Sequence, residues 1–385
     1  MALEHLGRAT IARTRSATFF SPLSLSATMR SSTLPTKDGL AWTYARSGVD
    51  RDAVAHALHA LLTSVRFRPP AGQGRLPGPG HFAGFVRAGR ETLALTTDTV
   101  GTKVLLAADV GRWSEVGEDI VAVNVNDLAA VGARPVGLVD CLTVAHPDPV
   151  VFRALGRGID RGLRAAGCGL LGGETAVAPD IVHGFDLGGT ALGHFPEGRR
   201  PVTGERIRPS DVILGIPARG FHANGFTLLR RLINEKRVEL LRPRPGARTP
   251  IGRELLRPTR IYVRASEAVA PLSQVHGMAH ISGGGVRNLA RLGIGVGYRL
   301  DKWPQPRGVY EWVASLGQLT MEELYQTFNM GIGFVIVVAR AAETRVRRRL
   351  AEAGFADAQP VGEVESGHGI RMPQFDLAYP DYSGG

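Results

Sequence analysis

Short apolar runs that stop at a glycine or a carboxylate, alternating with stretches whose apolar residues recur every three or four positions, constrain this chain more than any other feature. Residues 92–97 alternate as a strand and end at Asp98, and residues 168–171 run straight into Gly172-Gly173-Glu174. Residues 212–216 form another apolar run, followed by Gly220-Phe221-His222-Ala223-Asn224-Gly225 and a helix from Phe226. Between them Val151, Leu155, Ile159 and Leu163 repeat every fourth residue, which predicts an amphipathic helix closed by Gly167. Mixed strands and helices of this kind predict an α+β fold. Acids at strand ends are placed where ligands bind.

The rest of the chain fits two such blocks. Asp50 caps a helix running to about residue 65, with Val54, Leu58, Leu61 and Leu62 on one face. The Gly/Pro stretch at 69–80 excludes a helix and makes either a loop that closes over a ligand or a linker. Residues 119–131 read as a helix on which Asn124 and Asp127 are i,i+3 neighbours. Pro135 opens a buried strand through Val144, and residues 331–339 read as another. The pattern restarts near residue 208, giving a basic Ser/Thr-rich extension at 1–40, domains at 41–208 and 209–379, and a tail at 380–385. The extension imitates an organellar transit peptide, and Met29 offers the alternative of a later start.

Composition narrows the class. Of 385 residues, 44% are apolar, enough for two cores and against disorder. Cys141 and Cys168 supply no disulfide framework or zinc spacing, and both read as small core residues of a cytoplasmic protein. No apolar stretch is long enough for a membrane span. The net charge is +11, of which +3 lies in residues 1–40, so a basic nucleic-acid-binding protein is the non-enzymatic alternative. No aromatic residues interleave with the arginines at 345–349 or at 242–248 as stacking platforms, so a solvated helix face and a loop account for them.

Three segments carry the chemistry: Asp98-Thr99-Val100-Gly101-Thr102-Lys103, Asn124-Val125-Asn126-Asp127 and Gly172-Gly173-Glu174-Thr175. Carboxylate oxygens suit Mg²⁺, and a lysine among backbone N–H groups suits a polyphosphate, so the joint reading is an ATP·Mg²⁺ site. Singly each is weak, since Asp98 also suits a turn, Asp127 a helix surface and Glu174 a loop. Gly101-Thr102-Lys103 lacks the upstream glycine of a phosphate loop. His222 either caps the following helix or donates to a phosphoryl or formyl oxygen. Gly283-Gly284-Gly285, entering a helix at Val286, makes either a tight turn or an anion site. Asn329 either holds a turn or faces the cleft.

In order along the chain stand Tyr44-Ala45-Arg46-Ser47-Gly48-Val49-Asp50, the three acidic segments, His222-Ala223-Asn224-Gly225, Pro258-Thr259-Arg260-Ile261-Tyr262-Val263, Ser282 to Gly285 and Thr327 to Gly333. This set closely resembles the phosphoribosylformylglycinamidine cyclo-ligases, the aminoimidazole ribonucleotide synthetases of purine biosynthesis, from about residue 41 to about 375. His81-Phe82-Ala83-Gly84 is similar to the shorter glycine-loop variant of archaeal-type members. The resemblance implies a homodimer whose N-terminal domains build a β-barrel, a C-terminal α/β domain over the cleft, and no stable nucleic-acid partner. It implies ATP- and Mg²⁺-dependent closure of formylglycinamidine ribonucleotide.

By the same resemblance Asp98, Asp127 and Glu174 hold the metal, Lys103 meets a phosphate oxygen and His222 lies near the transferred group. Nucleotide contacts fall to His81, Gly84, Thr99, Gly101, Thr102, Asn126, Gly172, Gly173, Thr175 and Asn224. Substrate contacts fall to Gly283, Gly284, Gly285 and Asn329. Thr99 stands where relatives carry glycine, so that turn must be built with negative φ or bear strain. The ATP loop is reduced to Gly72-Gln73-Gly74 and Gly78-Pro79-Gly80, and the basic residue that many relatives carry on the first helix has no identified counterpart near Leu61 and Leu62. Thiamine-monophosphate kinases and selenophosphate synthetases share such a cleft. The latter want an N-terminal Cys or selenocysteine loop that is absent, and the former do not predict residues 258–263 or 327–333. The amidotransferase-coupled formylglycinamidine synthetases are several times longer.

Overall fold

The computed structural model describes residues 41–67, 81–293 and 295–380. The extension at 1–40, the Gly/Pro stretch at 69–80 and residues 381–385 lie outside the described residues. The elements run α1 (Arg51–Ser64), β1 (Gly84–Ala88), β2 (Glu91–Thr99), α2 (Lys103–Val110), α3 (Trp113–Ala130), β3 (Arg134–Val144), α4 (Pro149–Ala166), β4 (Gly169–Val177) and β5 (Phe185–His194). There follow β6 (Val212–Pro217), α5 (Phe226–Glu235), α6 (Ile251–Leu255), α7 (Val263–Val269), β7 (Val275–His280), β8 (Val296–Arg299), α8 (Val309–Gly317), α9 (Met321–Thr327), β9 (Ile332–Val338), α10 (Glu343–Glu352), β10 (Gln359–Ser366), β11 (Ile370–Met372) and β12 (Leu377–Tyr379).

Two mixed sheets result. The first has five strands in the order β1-β2-β5-β3-β4, with only β3 and β4 parallel. It is open: no barrel closes among the described residues, and β4 is an exposed edge. The second has seven strands in the order β12-β11-β8-β10-β6-β9-β7. Its β9, between β6 and β7, is buried at every position, as a strand covered on both faces should be.

Helix α3 ties the sheets together, packing on β2 and β5 of the first and on β7 and α7 of the second. Sequence periodicity predicts one apolar face starting at Asp119. The helix instead begins at Trp113 and is buried nearly all round. Gly117 and Gly158 explain this, because they are close-approach points, not breakers. A Cβ on Gly117 would lie 2.3 Å from the Leu155 carbonyl oxygen, and one on Gly158 would lie 2.0 Å from that of Ser114. Absent side chains therefore let α3 and α4 pack backbone to backbone.

Polar bonds fix the other side of α3 to the 258–266 segment. Thr259 N–H and its hydroxyl donate to Asp119 Oδ1 at 2.8 and 2.6 Å. Asn126 donates to the Arg260 carbonyl at 2.9 Å and accepts from Tyr262 N–H at 2.8 Å. Ser266 donates to the Ala129 carbonyl. Helix α1 forms as its pattern predicts, with Ala53 N–H donating to Asp50. Its apolar face, however, is exposed, Val54 and Leu61 to 60% and 59%. Cys141 is exposed on the uncovered face of the first sheet, contrary to the core reading, whereas burial pushes the Cys168 thiol up to about 11. The arginine run on α10 is matched within the helix, Arg347 to Glu343 and Arg348 to Glu352. Among the described residues no helix is long and apolar enough to cross a membrane.

Candidate active site

The site begins where β2 ends. Thr99 is the last residue of the strand and keeps negative φ, while Gly101 takes the left-handed conformation at φ +64°. Threonine is thus accommodated without strain, and its N–H donates to Asp98 Oδ1 at 2.7 Å. Asp98 lies on the helix-covered face, near Asp127 of α3. Burial, reinforced by the charge of Asp127, raises the Asp98 pKa to about 6; the Thr99 N–H, His280 and Arg291 pull it the other way. A carboxylate whose ionisation is opposed by burial and by a neighbouring acid is what a divalent cation relieves, and the oxygens of Asp98 and Asp127 could hold Mg²⁺.

Asp127 in turn bonds His280, with Oδ1 2.9 Å from Nδ1. The sequence reading missed His280. It is the last residue of an apolar strand, the same signal that marks Asp98. Its ring centroid lies 6.3 Å from that of His222. His222 is fully buried with φ +60°, and burial, followed by the charges of His280, Lys103, Arg260 and Arg219, holds its pKa well below 6.5. The ring is neutral. Its Nε2 accepts from Arg219 N–H at 3.3 Å, which places the proton on Nδ1. That Nδ1 and His280 Nε2 have no hydrogen-bond partner among the described residues, so two ring nitrogens stand ready for a ligand or water. Gly333 makes room for this pair, since a Cβ there would lie 2.4 Å from His222 Cε1.

Two loops meet at the same end. Asn224 Oδ1 lies 3.1 Å from where a Cβ on Gly283 would sit. Gly285 packs on the Tyr325 carbonyl oxygen, 2.0 Å from a Cβ position, which explains its glycine. The helix it opens is a seven-residue 3-10 turn, Gly285–Arg291, too short to carry an appreciable dipole. Arg291 at its end stacks on Phe82, 5.1 Å from the ring centroid, so the 81–84 segment reaches the site through that arginine. His81 itself bonds the Thr203 carbonyl at 2.7 Å, and burial lowers its pKa. Gly84 opens β1 opposite Leu95.

Several expected contacts are placed otherwise. Lys103 does not reach out to a phosphate. It is fully buried, pairs with Asp119 at 2.6 Å and donates to the carbonyls of His222 and Arg257 at 2.7 and 3.0 Å. Burial pulls its pKa down and that of Asp119 up, and the pair's mutual attraction opposes both. With both ions hydrogen-bonded, this is an internal brace beneath the His222 loop. Asn126 is spent on the 258–266 clamp. Asn329 is satisfied by Gly220, Tyr310 and Gly331, so it holds a turn. Thr102 meets Thr227 of α5 at 3.0 Å.

Glu174 also stands apart. Gly172, Gly173, Glu174 and Thr175 are not a loop after a strand but part of β4 itself, with a bulge opposite Leu138 and Val139. Strands β5 and β3 separate β4 from β2. Three spacings of about 4.8 Å put Glu174 about 14 Å from Asp98. Among the described residues no three acids, histidines or cysteines gather in a metal-binding group. Asp140 of β3, unremarked in the sequence, accounts for Gly173: a Cβ there would lie 2.2 Å from its Oδ1. Burial raises its pKa.

Comparison with known proteins decides the family. Residues 80–195 match the model "AIR synthase related protein, N-terminal domain" and residues 208–373 the corresponding C-terminal domain. The phosphoribosylformylglycinamidine cyclo-ligase of Thermococcus kodakarensis is 41% identical over 339 residues, covering 87% of this chain and 99% of that protein. The chain belongs to the phosphoribosylformylglycinamidine cyclo-ligase family. The family member from Methanothermobacter thermautotrophicus is 40% identical over 328 residues, 84% of this chain and 94% of its own. The solved structure of AaThiL complexed with AMPPCP and TMP shares the fold at 17% identity, with a TM-score of 0.59 over 87% of this chain and 99% of that one.

Proposed function

We propose that the cleft of Asp98, Asp127, His280 and His222 is where this chain carries out its reaction, the ATP-dependent cyclisation of formylglycinamidine ribonucleotide to 5-aminoimidazole ribonucleotide in purine biosynthesis. Cyclo-ligase activity follows from family membership. The placement rests on one observation: two adjacent carboxylates stand beside two buried imidazoles with free nitrogens.

An amide oxygen leaves poorly and phosphate leaves well, so ATP phosphorylates the formyl oxygen, an amidine nitrogen attacks that carbon, and phosphate departs. Asp98 and Asp127 would hold Mg²⁺, which when bound screens the polyphosphate charge. His222, kept neutral by burial, donates a hydrogen bond from Nδ1 to the developing oxyanion and not a full proton. His280, oriented by Asp127, offers Nε2 as an acceptor during ring closure. Gly283 and Asn224 border the substrate end, and the Lys103–Asp119 brace keeps the His222 carbonyl in place.

The chain works as a homodimer in this reading. Its support is the exposed β4 edge and the uncovered sheet face, with Leu95, Val139, Leu170, Leu171 and Val177 at 39–60% exposure. A second copy there would cover them and give Glu174 a metal-binding use that it lacks within its own chain. Turnover of formylglycinamidine ribonucleotide with ATP and Mg²⁺, followed by aminoimidazole formation, tests the site. Asp127→Asn and His280→Ala enzymes that keep full turnover would overturn the placement, and Glu174→Gln with unchanged Mg²⁺ dependence would remove the dimer-shared ligand.

A further inference from the structure

We propose that a second cavity, beside His222 but outside the nucleotide cleft, binds a phosphate group. The cavity measures about 240 Å³ and is lined by Arg219, Arg260, Arg264, Glu118 and Phe355, with Gly354 at its rim. Its lining shares nothing with Asp98, Asp127, His280 or the 283–285 loop. Three guanidiniums line it with one carboxylate, Glu118, which is engaged by Arg161 at 3.1 Å. Arg260 is held bidentately by Asp357 at 2.6 and 3.2 Å and stacks 4.7 Å over Phe355, so it forms a fixed, charge-matched wall and the free positive charge is that of Arg219 and Arg264. Arg219 and Arg264 are exposed and have no carboxylate partner among the described residues.

The walls are rigid where they need to be. Arg219 N–H is bonded to His222 Nε2, and Ala218 N–H donates to the Gly331 carbonyl at 2.8 Å. Thr259 and Arg260 are tied to α3 through Asp119 and Asn126. Guanidinium forks recognise phosphate bidentately, and a preformed frame lowers the ordering cost. The ends of α4 and α10 at this cavity are carboxyl ends, whose partial negative charge opposes an anion. Binding therefore depends on the arginines. The volume admits orthophosphate or a small phosphomonoester and is too small for a nucleoside triphosphate.

The test uses the full chain with Mg²⁺ and a non-hydrolysable ATP analogue at saturation, so that the cleft is filled. Orthophosphate, ribose 5-phosphate and AMP are then titrated separately by calorimetry at low ionic strength. One equivalent should bind per chain. Orthophosphate binding most tightly identifies free phosphate as the source, and ribose 5-phosphate or AMP binding more tightly identifies a phosphomonoester. Arg264→Gln should weaken binding about tenfold and Arg219→Gln/Arg264→Gln about a hundredfold, with affinity for the ATP analogue unchanged. Both side chains are exposed, so the variants should melt with the parent. Uptake of none of the three probes by the cleft-filled protein, or equal binding by parent and double variant, overturns the proposal.

Discussion

The two sheets of this protein solve the same covering problem differently. The C-terminal sheet is buried on both faces even at its β7 edge: β9 is buried at seven of seven positions and β7 at six of six. The N-terminal sheet buries only the face under α3, on whose other side α4 packs. In β5 the alternation is plain, with Phe185, Leu187, Gly189, Ala191 and Gly193 inside, and β4 is exposed almost throughout. One sheet is covered on both faces within the chain, while the other leaves one face open. Asp98 lies on the covered face of that sheet and Asp127 on the helix that covers it, whereas Glu174 lies on the open edge strand.

The largest test of that contrast is catalytic. Asp127→Asn, on the covered side, should lower kcat by about 10³-fold, about 4 kcal/mol of transition-state stabilisation, with melting little changed. Next comes the brace between the halves. Lys103→Met leaves Asp119 buried without its ion partner and should cost about 3–5 kcal/mol of stability, read by urea unfolding. Apolar truncation then compares the sheets directly. Ile336→Ala in β9 should cost about 2–5 kcal/mol, whereas Val139→Ala on the open face should fall within about 0.5 kcal/mol in the isolated chain. A much larger loss for Val139→Ala that grows with protein concentration would show that a second copy covers that face.

The smallest effect is in pH. The folded pKa of His222 lies below its unfolded value of 6.5, so between those values the unfolded chain binds more protons. Stability contributed by the neutral ring is full above pH 6.5 and falls on acidification, by about 1.4 kcal/mol per pH unit for one group. A thermal-unfolding series from pH 8 to 5.5 should show that slope reduced in His222→Gln, with the part owed to His81 remaining.

Much of the site was legible because its signals are local. Asp98 and the 220–225 loop follow apolar runs, and a polar group after a strand is visible in a few residues. Thr99 was also resolved locally, since Gly101 absorbs the positive φ. His280 carried the same strand-end signal and was overlooked. What could not be read was partnership. Lys103 has the spacing of a phosphate ligand, but its ion partner is on α3 and its acceptors are 119 and 154 residues away. Gly117 has the signature of a helix boundary, and only the presence of Leu155 against it makes it a contact point. Gly173 has the signature of a phosphate cradle, and only the packing shows that its missing side chain clears Asp140.

The sequence by itself determined segments such as β2, α4 and β6 and the cap of α4 at Gly167, because periodicity and backbone preference act over neighbouring residues. Tertiary structure alone decided that β5 separates β2 from β3, that Glu174 lies three strands from Asp98, and that Lys103 turns inward. Those outcomes depend on desolvation and hydrogen-bond satisfaction between groups far apart in the chain, and a buried charge takes whichever partner the packing brings to it.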